Sequence, residues 1–141
     1  MNISATLADF ENYLIAQGHE LNTIRSYLYD IQQFAQYLTT CNLELGNTEI
    51  TNLRDFIHCL FDLGLSAASI NRKISATKSL YTHLLVNREI TTNPAIDIEL
   101  LKVGRKLPTV LSVEEAARII EAADDREPLG LRDRVCLELL Y

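Results

Sequence analysis

The sequence predicts an all-α protein. Apolar residues recur three and four positions apart through most of the chain, which is the spacing of one helix face. No segment shows the apolar and polar alternation of a half-buried strand. Only 5 glycines and 3 prolines occur in 141 residues, and they fall mostly between the periodic stretches.

Ser4 can cap a first helix with Leu7, Phe10 and Leu14 on one face and Gly18 as its stop. Asn22 can cap a second, whose stripe is Ile24, Tyr27, Leu28, Ile31, Phe34 and Leu38. A third follows Thr51, with Leu53, Phe56, Ile57, Leu60 and Phe61 facing inward and Gly64 at its end. Ser66 can cap a fourth that runs to about Val86, with Ile70, Ile74, Leu80, Tyr81, Leu84 and Leu85 inward. Four amphipathic helices on short loops predict one bundle over residues 1–88. Residues 89–111 lose the helical period and contain Asn93-Pro94, Gly104 and Pro108, so they read as an extended interdomain linker. Residues 112–141 then begin a second domain. Ser112 and Glu115 form a capping box for a fifth helix through about Ala123, and a sixth starts near Gly130 and is still in pattern at Tyr141.

Composition bounds the function. Apolar residues make up 48% of the chain, enough for a packed core without disulfides. Cys41, Cys59 and Cys136 form no C-x-x-C pair and read as reduced, mostly buried thiols. No apolar run approaches the roughly 18 residues of a membrane span, and the N-terminus lacks a signal-peptide pattern. A soluble cytoplasmic protein is the expectation. His19, His58 and His83 lack metal-ligand spacing, and no phosphate loop, dinucleotide fingerprint or nucleophile elbow is present.

The net charge of −6 argues against nucleic acid, but the charges are unevenly placed. Residues 66–108 carry 7 basic and 3 acidic groups, whereas both flanks are acidic. On the fourth helix Arg72, Lys73, Ser75 and Lys78 lie among the small residues Ala67, Ala68 and Ala76. Cations and short hydroxyls on a closely approachable helix suit phosphates and base edges, though such a face can equally be solvated. Thr23, Arg25 and Ser26 lie at the start of the second helix, where free amides favour an anion. Lys102, Arg105 and Lys106 cluster in the linker.

Taken in order, these segments resemble the tyrosine recombinase family, in particular the bacterial Xer-type resolvases and phage-type integrases. The resemblance rests on Asn22-Thr23-Ile24-Arg25-Ser26-Tyr27 with Asp30, and on Gly64-Leu65-Ser66 leading into Ser69-Ile70-Asn71-Arg72. Leu80-Tyr81, Asn93-Pro94-Ala95 and Lys106-Leu107-Pro108 follow, then Leu111-Ser112 with Glu115, Gly130-Leu131-Arg132-Asp133 and Leu139-Leu140-Tyr141. It implies a SAM-like core-binding domain forming half of a clamp on duplex DNA, with the second and fourth helices in the major groove. Thr23, Arg25, Ser26, Arg72, Lys73, Ser75 and Lys78 would then face DNA, with the linker basic residues crossing it. The implied chemistry, a tyrosine nucleophile with arginine, lysine and histidine partners, uses no metal or cofactor. Its residues would lie beyond Tyr141, which does not match the nucleophile, so this chain is expected to bind without cleaving. Other recombinase protomers would be partners of the full-length relative. The alternatives are a helical transcriptional regulator, which the long fourth helix fits less well, and a helical protein-interaction module, which the acidic total favours.

Overall fold

The computed structural model describes residues 3–104, 110–123 and 126–141. The described residues are helical and contain no strand. They form α1 (Ile3–Ala16), α2 (Leu21–Thr40), a 3-10 turn (Leu45–Asn47), α3 (Ile50–Asp62), α4 (Ala67–Val86), α5 (Val113–Glu121) and α6 (Pro128–Leu140). They divide into two compact units, the first ending at Val103 and the second beginning at Gly104.

In the first unit α2 and α4 make the principal pair, α1 packs on both, and α3 packs on α4. Phe10 and Leu14 of α1 join Ile24, Ile31, Phe34 and Leu38 of α2 in the core. Leu53, Phe56 and Leu60 of α3 meet Ile70, Ile74, Leu80 and Leu84 of α4. Each such side chain contributes about 1.5–3 kcal/mol by leaving water. The predicted stripes supply this core, except that Phe61 and Leu85 at its edges stay exposed. Phe34 lies 5.0 Å from Phe56 and 6.3 Å from Tyr81, ring centre to ring centre, so aromatic contacts tie α2, α3 and α4. The Tyr81 hydroxyl donates to the Leu45 carbonyl at 3.2 Å and anchors the 3-10 turn.

All four helices of this unit stop in the same way. A residue with left-handed φ follows each one: Gly18 (77°), Asn42 (55°), Gly64 (77°) and Arg88 (59°). The next amide bonds back to a carbonyl in the last turn, as Glu89 does to Leu84 at 2.9 Å and Leu43 to Leu38 at 2.8 Å. The starts differ from expectation in places. Ser66 caps α4, accepting from the Ser69 amide at 3.2 Å. Ser4, however, lies inside α1, and α2 begins at Leu21 after Glu20, before the expected cap Asn22. α3 begins at Ile50, where the Glu49 amide donates to Asn52 Oδ1 at 2.9 Å.

The first part of the segment after α4 packs on the first unit. It turns at Asn93, whose Oδ1 accepts from the Ala95 amide at 2.9 Å, and runs back along α4. Lys78 Nζ donates to the Ile96 carbonyl at 3.3 Å. Asn71 then holds the Leu101 backbone from both sides, donating to its carbonyl at 2.9 Å and accepting from its amide at 2.7 Å. Ala95 and Ile98 point into the core and are 1% and 6% exposed. Burial of these two side chains is why the compact unit continues past residue 88.

In the second unit Ser112 and Glu115 make the expected capping box. Ser112 Oγ accepts from the Glu115 amide at 3.2 Å, and the Ser112 amide donates to Glu115 Oε2 at 2.8 Å. Pro128 opens α6, where its fixed φ suits a first turn and its missing N–H costs nothing. Neither helix has a buried side chain. The three cysteines, expected to be mostly buried, are instead exposed and free. Cys41 caps the C-terminal end of α2, and Cys59 lies on the outward side of α3. No described helix is long and apolar enough to cross a membrane.

Two outcomes are expected. Asn71→Ala should remove both bonds to Leu101 and speed hydrogen exchange of the Leu101 amide by about tenfold or more, with global stability little changed. Burial pushes the Tyr81 phenol up from 10.0 to about 12. The unfolded phenol therefore ionises first as pH rises. The stability that Tyr81 contributes is complete below pH 10 and is lost between about pH 10 and 12, to the extent of roughly 2–3 kcal/mol. Tyr81→Phe should shrink the fall in denaturant midpoint across that interval by a corresponding amount.

Candidate nucleic-acid interface

The site is built where α2 and α4 cross, around a buried carboxylate. The Asp30 side chain on α2 is 0% exposed. A charge there is tolerable only if paired. Lys73 on α4 supplies the partner, with Nζ 2.7 Å from Asp30 Oδ1 and its own side chain 4% exposed. Lys73 also donates to Gln33 Oε1 and sits over the Tyr29 ring, 5.8 Å from its centre, within cation–π range.

Arg72 approaches the same carboxylate from the surface. Its Nη1 is 2.8 Å from Asp30 Oδ2 and donates to the Ser26 carbonyl at 3.1 Å, while its side chain remains 41% exposed. Asp30 Oδ2 makes no well-formed hydrogen bond, so its contact with Arg72 is an ionic one. Through Arg72 the polar face of α4 becomes continuous with the first turns of α2. Thr23, Ser26 and Ser75 are half-buried, and Arg25 is exposed. Lys78 is half-buried and holds the Ile96 carbonyl. Lys102 is exposed and follows Leu101, whose backbone Asn71 fixes next to Arg72 along α4. Arg72 thus links α4 to Ser26 and Asp30 on α2, and Asn71, its neighbour in sequence, holds the backbone at the start of the basic segment.

Three expectations change. Lys73 is not presented at the surface, because its ammonium is consumed by Asp30 and Gln33 inside the bundle. The Ile24 amide already bonds to the Glu20 carbonyl at 3.0 Å, so the free amides of α2 belong to Leu21, Asn22 and Thr23, ahead of Arg25 and Ser26. Arg105 and Lys106 lie outside the described residues. Sequence reasoning assigned no role to Asp30, Gln33 or Asn71. The available signal was Lys73 itself, three residues after Ile70 and four before Thr77, on a stripe that buries both. A lysine there requires a carboxylate.

Removal of one partner should be costly. Asp30→Ala leaves the Lys73 charge buried and is expected to destabilise the bundle by about 3–5 kcal/mol. Replacing the pair together, as Asp30→Asn with Lys73→Met, should recover most of that loss. Urea denaturation of the three proteins checks both.

Comparison with known proteins bears on the family and the fold. The family described as phage integrase, N-terminal SAM-like domain, matches residues 7–88. The chain is 39% identical over 140 residues to tyrosine recombinase XerD of Chlorobaculum tepidum, covering 96% of this chain and 46% of that protein. It is 36% identical over 142 residues to tyrosine recombinase XerC of Xanthomonas campestris pv. campestris, covering 97% of this chain and 44% of that one. The chain therefore spans about half the length of the curated relatives it matches. The crystal structure of XerA recombinase superposes with a TM-score of 0.56 at 23% identity, over 88% of this chain and 41% of that one, which shows a shared fold. With its bundle matched over more than half of the sequence, the chain belongs to the phage integrase N-terminal SAM-like domain family.

Proposed function

We propose that the first unit binds duplex DNA through the adjoining faces of α2 and α4, as the N-terminal part of a tyrosine recombinase. The observation that carries this reading is Arg72. It reaches from α4 to the Ser26 carbonyl and to Asp30 on α2, which supports reading Thr23, Arg25, Ser26, Arg72, Ser75 and Lys78 as one surface. Hydroxyls and cations on that surface match the phosphate oxygens and base edges of a major groove. Lys102 extends it along the backbone of the duplex, and Arg105 and Lys106, by charge, are proposed as further phosphate contacts. The relatives named tyrosine recombinases support the assignment to DNA recombination and integration. Strand cleavage and rejoining belong to the whole protein, in the cytoplasm and with other protomers in a synaptic complex. We assign no residue of this chain a catalytic role. The division we propose is a DNA-binding bundle over 1–88, an interdomain segment over 89–111 and the beginning of the catalytic domain over 112–141. The first part of the interdomain segment is packed on the bundle.

A protein-interaction role is the second reading, and one observation favours it for the second unit. Leu129, Leu131, Val135, Leu139 and Leu140 on α6 are all exposed, an apolar surface of the kind that other proteins cover.

The test is duplex binding against salt. With Lys73 withdrawn, about four to five cations can reach phosphates, so log K against log salt should slope at about −4, with micromolar or weaker affinity at physiological salt. Arg72→Ala with Lys78→Ala should cost roughly 1–3 kcal/mol. Arg118→Ala with Arg126→Ala should leave binding nearly unchanged. The opposite pattern would put the DNA on a different face.

A further inference from the structure

The reading of Arg72 as a DNA contact leaves unexplained why a buried carboxylate and a buried ammonium lie directly behind it. We propose that Asp30 is a positioning residue for DNA binding. Together with Lys73 and the Ser26 carbonyl, it holds Arg72 so that the Nε and Nη2 edge of the guanidinium is offered to duplex DNA as a fixed fork. The inference rests on the functional reading above.

Three observations carry it. First, both polar contacts that Arg72 makes among the described residues run through Nη1, at 2.8 Å to Asp30 Oδ2 and 3.1 Å to the Ser26 carbonyl. A guanidinium has five N–H donors in one plane, so anchoring one terminal nitrogen sets the direction of the opposite edge. That edge is the one suited to paired acceptors, either two phosphate oxygens or O6 and N7 of guanine. Second, the charges do not cancel. Lys73 is buried and paired through Oδ1, which leaves Oδ2 turned toward Arg72. One carboxylate between two cations leaves one positive charge in the cluster, and Arg72 is the member that solvent reaches. Asp30 alone would neutralise Arg72, whereas Asp30 with Lys73 orients it and leaves its charge available. Third, an arginine held at both Ser26 and Asp30 has already given up much of the rotamer freedom that a free surface arginine loses on binding.

The test is a mutant cycle on duplex binding. Arg72→Ala is measured in the parent and in two other backgrounds. One is Asp30→Asn with Lys73→Met, which removes the ion pair without stranding a charge. The other is Asp30→Glu, which keeps the charge and moves the carboxylate by one methylene. Circular dichroism identifies the backgrounds that remain folded. In the parent, Arg72→Ala should weaken binding about tenfold or more, and Arg72→Lys, which keeps the charge without the fork, should weaken it nearly as much. In the altered backgrounds Arg72→Ala should cost less than about threefold, because the fork is already lost. Two duplexes, one of mixed sequence and one of A·T pairs only, distinguish the acceptors. Coupling on both points to phosphate, and coupling on the mixed sequence alone points to guanine. An Arg72→Ala loss of equal size in the parent and in a folded altered background would overturn the proposal. A parent chain that binds neither duplex would overturn the functional reading beneath it, which is a separate result.

Discussion

The ion pair between Asp30 and Lys73 is the constraint on which the rest of the first unit depends. It joins the two longest described helices through two side chains that are almost fully removed from water. Apolar contacts alone permit α2 and α4 to slide by a helical turn at modest cost, since leucines and isoleucines exchange neighbours readily. A buried charge permits no such freedom, because any displacement strands it without a partner. The pair therefore fixes the register of α2 against α4, and everything mounted on those helices inherits that register. The anchoring of Arg72 at Ser26 is one consequence.

Packing also brings together some of the positive charge of this acidic protein. Residues 66–108 hold 7 of the 13 basic residues and are net positive, both flanks are net acidic, and the segment that returns along α4 bears Lys102. That segment carries Lys102 back beside the N-terminal half of α4, because Asn71 grips the backbone at Leu101. Positive charge is thus gathered from residues some thirty positions apart in sequence by one side chain that carries no charge itself.

Most of the fold was legible because helices announce themselves twice, by apolar period and by punctuation. Gly18 and Gly64 marked two helix ends, since glycine enters the left-handed region without strain. Asn42 and Arg88 end the other two in the same conformation, yet neither residue type signals a stop as glycine does. Ser66 and Ser112 were readable as caps because their partners, Ser69 and Glu115, lie three residues on. The start of α2 was misread at Asn22 because Glu20 begins the helix without any side-chain cap. Within the site, Arg72 and Ser75 could be read from the polar face of α4, but Lys73 looked equivalent to Arg72 by adjacency. Only its position on the Ile70 and Thr77 stripe separates the two, and its partner Asp30 is forty-three residues away. Ala95 and Ile98 were missed for a related reason. Two apolar residues in a proline-containing stretch carry no period, and only the surface of α4 gives them a place to go.

The return of the chain along α4 changes what length means for this protein. The segment is attached at Asn93 to Thr82, at Ile96 to Lys78 and at Leu101 to Asn71, so it retraces the helix in the opposite direction. The place where the chain leaves the first unit is therefore set by the last of these attachments and not by the number of residues that precede it. An added residue between two attachments would swell outward as a small loop and leave the exit point where it was. A deleted residue could not be accommodated in the same way, because the remaining backbone would have to stretch between fixed points. The segment should accordingly tolerate insertions and resist deletions, and a related chain with a longer segment could still deliver its second unit from the same spot.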